Sequence, residues 1–122
     1  LGFIQAIKEH AIKAIMPAHI IFTEVDPENP VGFSRKWLQD ILRKECEFEG
    51  AIISDCLSMK GAEVGNMLER ATRALNAGCD IIIVCNQTRE VIQSLLNDLS
   101  RSFKIDAVSQ RRIAALAHIN RF

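Results

Sequence analysis

Short apolar runs alternate along the chain with longer stretches in which apolar residues recur at helical spacing. That order predicts an α/β fold with a parallel sheet. Ala14-Ile15-Met16 is the first such run, closed by Pro17, which cannot donate to a central ladder. A polar loop from Thr23 to Phe33, with Pro27, Pro30 and Gly32, leads to Ser34, a residue suited to cap a helix. Trp37, Leu38, Ile41, Leu42 and Cys46 then fall on one helical face, which makes Trp37 a packing residue before it is a sugar-stacking one. Ala51-Ile52-Ile53, bounded by Gly50 and by Ser54-Asp55, reads as a second buried strand.

Asn66 with Glu69 resembles a capping box, Met67, Leu68, Ala71, Ala74 and Leu75 form the apolar stripe of the next helix, and Gly78 ends it. Ile81 to Cys85 is apolar throughout, as in a parallel strand covered on both faces. Thr88 caps a further helix that buries Val91, Ile92, Leu95, Leu96 and Leu99. A last helix runs from about Asp106 to the end, with Ile113, Leu116 and Ala117 as core contacts.

The stretch GAIISDCLSM, Gly50 to Met59, puts a carboxylate, Asp55, at the C-terminal end of a buried strand. In folds built from parallel strands that end gathers the loops, and ligands and catalytic groups are found there. An aspartate after a strand is also a common cap or turn residue, so position alone leaves both roles open. His19 follows the first strand as Asp55 follows the second, and could line the same mouth or serve as a structural histidine. Asp80 opens its strand on the opposite, stabilising face and reads as structural. Glu24 and Asp26 lie in the loop after the first strand, where solvation is the simpler role.

Lysine plus arginine and aspartate plus glutamate number 15 each, so there is no basic footprint for nucleic acid or an anionic membrane. No apolar run reaches the length of a membrane span. His10, His19 and His118 do not share a metal-ligand spacing, which argues against a zinc site. Cys46, Cys56, Cys79 and Cys85 lack CxxC spacing and read as reduced thiols of a cytoplasmic protein. Cys56 adjoins Asp55, but no Cys-His motif supports a nucleophilic thiol.

Four motifs are specific rather than compositional: MPAH at Met16 to His19, SDxLSM at Ser54 to Met59, ER at Glu69-Arg70 and AGCD at Ala77 to Asp80. With them, the stretch from about Ala11 to Asn86 resembles the C-terminal part of the catalytic barrel of glycoside hydrolase family 3, in particular its bacterial β-N-acetylhexosaminidases. The tail KIDAVSQRRIAALAHI resembles the family's closing helix. Two departures stand out. Cys56 occupies a position where the nearest relatives commonly carry a second Asp, and the stretch from Gly61 to Glu69 is one residue short.

The resemblance implies that the three strands are strands six to eight of a (β/α)8 TIM barrel. Such a barrel needs roughly 250 residues, and this chain has 122. The expectation is therefore one partial catalytic domain over residues 1–122, with the N-terminal barrel strands absent. It would have open sheet edges and an apolar face that favours self-association. The implied chemistry is retaining hydrolysis of terminal β-linked N-acetylglucosamine from a muropeptide or oligosaccharide, with Asp55 as nucleophile, His19 as a substrate contact, and neither metal nor organic cofactor. The family's Asp-His acid/base and Lys-His sugar-binding motif fall upstream of Leu1, so the chain alone is expected to be inactive. The competing expectation is a non-catalytic remnant or self-associating α/β module in which SDCLSM is only inherited.

Overall fold

The computed structural model describes residues 2–62 and 65–117. Helix α1 (Gly2–Lys8) leads into β1 (Ala14–Ile15), and a long loop with a 3-10 turn at Val31–Phe33 brings the chain to a π-helix (Lys36–Glu45). Then follow β2 (Ala51–Cys56), a 3-10 turn at Lys60–Ala62, α2 (Met67–Ala77), β3 (Ile81–Ile83), α3 (Arg89–Ser102) and α4 (Ala107–Ala117). The strands form one parallel sheet in the order β1-β2-β3, so each crossover returns the chain to the next position. This is the α/β architecture that the alternating pattern predicts. Of the predicted last helix, the described part ends at Ala117, and His118 lies outside the described residues.

Local sequence signals account for the helix ends. Asn66 Oδ1 accepts the Glu69 N–H at 2.9 Å, and Thr88 Oγ1 accepts the Val91 N–H at 3.3 Å, each relieving a donor that the first helical turn leaves unpaired. Gly78 adopts φ 128° after α2. Its N–H bonds to the Leu75 carbonyl while the Cys79 N–H reaches back to Ala74, the paired closure that a left-handed glycine permits. Arg35 is already helical and Ser34 is extended, so Ser34 caps the π-helix, its Oγ accepting the Trp37 N–H at 3.2 Å. Gly50 is required for a different reason: a Cβ there would collide with the Lys13 carbonyl oxygen, where β1 and β2 come together.

Burial departs from the sequence pattern in several places. The helix after Ser34 is wound with i→i−5 bonds, such as Cys46 N–H to Ile41 at 2.9 Å. The wider turn shifts the predicted stripe, so only Leu38 is fully buried and Trp37 is half-buried, tilted against Phe22. On α3, Leu95 is buried and Ile92 and Leu99 half-buried, but Val91 and Leu96 are exposed because α3 packs on α2 along one narrow stripe. Ala117 is exposed, while Ile113 and Leu116 are half-buried. β3 is shorter than predicted, and its three isoleucines are half-buried rather than covered on both faces. β3 is an edge strand, and no fourth strand flanks it among the described residues.

Candidate active site

β2 runs farther than its apolar run predicts, to Cys56, and Asp55 is therefore a residue of the strand itself rather than of the loop after it. The ladder explains how its side chain is aimed. Ile53 pairs with Ile81 and Cys56 with Ile83, so β2 carries one residue more than β3 over the same length. That is a β-bulge, a device that bends a strand and redirects a side chain. Ser54, fully buried, stabilises it: its Oγ accepts the Ile83 N–H at 2.9 Å, and the Leu57 N–H resumes pairing with the Ile83 carbonyl at 2.9 Å. Ser54→Ala should leave the Ile83 amide short of its hydroxyl partner and lower stability by about 1–3 kcal/mol. A urea melt of the variant checks this, and an unchanged midpoint would count against the hydroxyl as a ladder group.

Asp55 is half-buried at the carboxyl end of the sheet, and its Oδ1 accepts the Cys56 N–H at 2.8 Å. His19, on the segment that follows β1, reaches the same end. Its Nε2 lies 3.1 Å from the Cys56 carbonyl, and because a carbonyl only accepts, Nε2 carries the proton and donates. The imidazole stacks on buried Phe33 with ring centroids 5.3 Å apart, and its buried Nδ1 has no hydrogen-bond partner among the described residues. Gly32 makes room for this ring, since a Cβ there would come 3.2 Å from Nδ1. His19 thus reaches the strand end that carries Asp55, holding the main chain one residue beyond it. From α2, Arg70 fastens the loop that leaves β2: Nη1 donates to the Leu57 carbonyl at 2.9 Å and Nε to Gly65 at 3.0 Å.

Two acidic residues have structural partners. Asp26, expected to be solvated, organises its loop: it accepts the Ser34 hydroxyl at 2.6 Å and the Glu28 and Asn29 N–H groups. The Ser34 bond, foremost, holds its carboxyl below the ordinary value against partial burial. Asp80, at the opposite end of β3 from the rim, is buried and joins four segments. Its Oδ2 accepts the Ile52 N–H at 2.8 Å and Arg43 Nη2 at 2.9 Å; its Oδ1 accepts Ser109 Oγ at 2.6 Å and Arg112 Nη1 at 3.3 Å. Exposed Glu24 shares neither arrangement.

A contact that the sequence reading missed ties the ends of β2 and β3 together: Ser58 Oγ donates to the Cys85 carbonyl at 2.6 Å. No local signal marks this contact, since Ser58 and Cys85 lie 27 residues apart in the chain. Among the described residues no group of His, Cys, Asp and Glu is placed to hold a metal ion, and no helix is long and apolar enough to cross a membrane.

Residues 1–119 match the family described as the glycosyl hydrolase family 3 N-terminal domain. A β-hexosaminidase of Haemophilus influenzae is 42% identical over 121 residues, covering 91% of this chain and 34% of that protein. One from Idiomarina loihiensis is 54% identical over 89 residues, covering 72% of this chain and 27% of its own length. Among solved structures, NagZ from Neisseria gonorrhoeae in complex with N-trifluoroacetyl-D-glucosamine superposes with a TM-score of 0.71 at 35% identity, over 92% of this chain and 30% of that one. CbsA from Thermotoga neapolitana gives a TM-score of 0.79 at 26% identity, over 98% of this chain and 28% of that one. The chain spans about a third or less of the length of the curated relatives it matches.

Proposed function

The chain belongs to glycosyl hydrolase family 3, and from that premise we propose that it supplies strands six to eight of a (β/α)8 barrel that hydrolyses terminal β-linked N-acetylglucosamine. The observation that carries this reading is Asp55. In a chain 42% identical to a β-hexosaminidase, the bulge in β2 presents this carboxylate at the carboxyl end of a parallel sheet, where barrel enzymes keep their chemistry.

In a retaining mechanism Asp55 attacks the anomeric carbon and forms a glycosyl ester, which water then cleaves; a second group protonates the leaving oxygen and afterwards activates the water. None of these 122 residues is assigned that second role, and a complete barrel needs five strands besides the three seen in this sheet. His19 acts as a positioning residue, because its Nε2–H bond to the Cys56 carbonyl fixes the strand end that carries Asp55. The substrate class is an N-acetylglucosamine-containing muropeptide or oligosaccharide of peptidoglycan recycling, and the four free cysteines fit a reducing cytoplasm.

A second reading, a self-associating α/β module without activity, draws support from one feature. Met16, Ile20, Ile21 and Phe22 are all about half exposed on the segment after β1, an apolar surface of the kind that other barrel strands or a second copy would cover. One experiment separates the two readings. The 122-residue chain by itself should show no measurable hydrolysis of an aryl N-acetyl-β-glucosaminide, since general acid catalysis alone is worth about 100- to 10,000-fold, and it should sediment as more than a monomer. The complete catalytic domain that includes it should turn the substrate over. An inactive complete domain would favour the second reading, and an active, monomeric 122-residue chain would overturn the barrel assignment.

A further inference from the structure

We infer that Arg70 is a positioning residue for glycoside cleavage: its one guanidinium ties together both ends of the loop after Asp55 and so fixes where that carboxylate stands. The inference rests on the hydrolase reading above, and it gives the Glu69-Arg70 motif a role. The loop leaves β2 at Cys56, turns where the Met59 N–H meets the Cys56 carbonyl at 3.2 Å, and passes through the 3-10 turn at Lys60–Ala62. Arg70 Nη1 donates to the Leu57 carbonyl at 2.9 Å, close behind Asp55 in the chain. Its Nε donates to the Gly65 carbonyl at 3.0 Å, immediately before the Asn66 cap of α2.

The far end of the loop is built for this hold. Gly65 takes φ 108°, a conformation that side chains with a Cβ rarely adopt, and a Cβ there would also meet Glu69 Oε2. The Asn66 carbonyl accepts the Arg70 N–H at 3.0 Å, so Arg70 belongs to the first turn of α2. Ala71 and Ala74 on the same helix are fully buried, which gives the guanidinium a fixed base in the core.

The near end is met from other elements as well. The Cys56 carbonyl accepts His19 Nε2, the Leu57 N–H pairs with the Ile83 carbonyl at 2.9 Å, and Ser58 Oγ donates to the Cys85 carbonyl. The residues directly after Asp55 are thereby held from the β1, β3 and α2 sides, and Arg70 alone of these partners also grips the loop where it ends. Such a frame matters to a nucleophile, because a misplacement of about 1 Å can cost on the order of a hundredfold in rate. Lysine cannot take the part. A planar guanidinium holds several N–H groups in fixed directions and serves two carbonyls at once, whereas an ammonium on a flexible stem acts as a point charge.

The test is Arg70→Lys, made in the complete catalytic domain and in the 122-residue chain. In the complete domain kcat on an aryl N-acetyl-β-glucosaminide should fall by about tenfold or more, with KM and the melting temperature nearly unchanged. A substrate contact would instead raise KM, and a merely structural role would move the melt and spare kcat. In the 122-residue chain the substitution keeps a trypsin site at position 70, so a change in the digest reports exposure. Cleavage after Lys60, measured against exposed Lys104, should quicken by about fivefold or more as the loop opens. A third measurement needs no variant: in the unsubstituted chain the Arg70 Nε–H should exchange with solvent far more slowly than that of exposed Arg101. Unchanged kcat in the lysine variant of an active domain, unchanged cleavage after Lys60, or an Arg70 Nε–H that exchanges as fast as that of Arg101 would each overturn the role and leave the hydrolase reading standing. An inactive unsubstituted domain would overturn that reading and the role with it.

Discussion

Replacing Asp55 with Asn in the complete catalytic domain is expected to lower turnover of an aryl N-acetyl-β-glucosaminide by on the order of a thousandfold or more, with substrate binding largely preserved. An amide cannot form the glycosyl ester, so the loss falls on the chemical step. The substitution suits the site's shape. Oδ1 accepts the Cys56 N–H at 2.8 Å, and an asparagine carbonyl oxygen can keep that bond and with it the course of β2. The effect should therefore be on kcat, with KM and the melting temperature nearly unchanged. Steady-state kinetics beside a thermal melt decide the matter, and turnover within a few-fold of the unsubstituted enzyme would remove Asp55 from the role. Cys56→Ala is the control next door: the thiol has no step in glycoside cleavage, so that variant should retain most activity.

Asp80→Ala should have the largest effect on folding. Asp80 binds Arg43 of the π-helix, the Ile52 amide of β2, and Ser109 and Arg112 of α4. Its own N–H donates to the Ile52 carbonyl at 2.8 Å. The side chains of Asp80 and Arg43 are 2% and 9% exposed, so truncation leaves a guanidinium in a buried place without its counter-charge. Breaking such a pair costs about 3–5 kcal/mol, a large share of the roughly 5–15 kcal/mol that holds a typical domain together. Circular dichroism during urea titration should show the transition lost or moved far toward zero denaturant. Adding Arg43→Met to the same chain should restore part of the loss, because the stranded charge is gone. A single variant as stable as the parent would mean that the four segments are held by apolar packing alone.

The alternation of strand and helix was legible in the chain because the signals are contiguous. Apolar runs, helical periodicity, Asn66 and Thr88 as caps and Gly78 as a terminator each act over a few residues, and the structure carries the two caps and the terminator at their predicted places. The position of Asp55 at the carboxyl end of a parallel strand was legible for the same reason. Short apolar runs predict less well how far a strand extends: Ala51 to Ile53 marks β2, but its continuation through Ser54 to Cys56 depends on the Ser54 hydroxyl meeting Ile83.

Tertiary structure decided what depends on residues distant in sequence. Whether Asp26 is solvated rests on Ser34, and whether His19 reaches the end of β2 rests on how the loop after β1 returns over Phe33 to the Cys56 carbonyl. Val91 and Leu96 share the helical stripe of Leu95, yet only Leu95 is covered, since periodicity defines a face and the neighbouring element defines how much of it is buried. Asp80 is one acidic residue before a strand until three segments converge on it. Local preference is written in each stretch of residues, whereas side-chain partnership is a property of register and packing, and those exist only once the strands have paired.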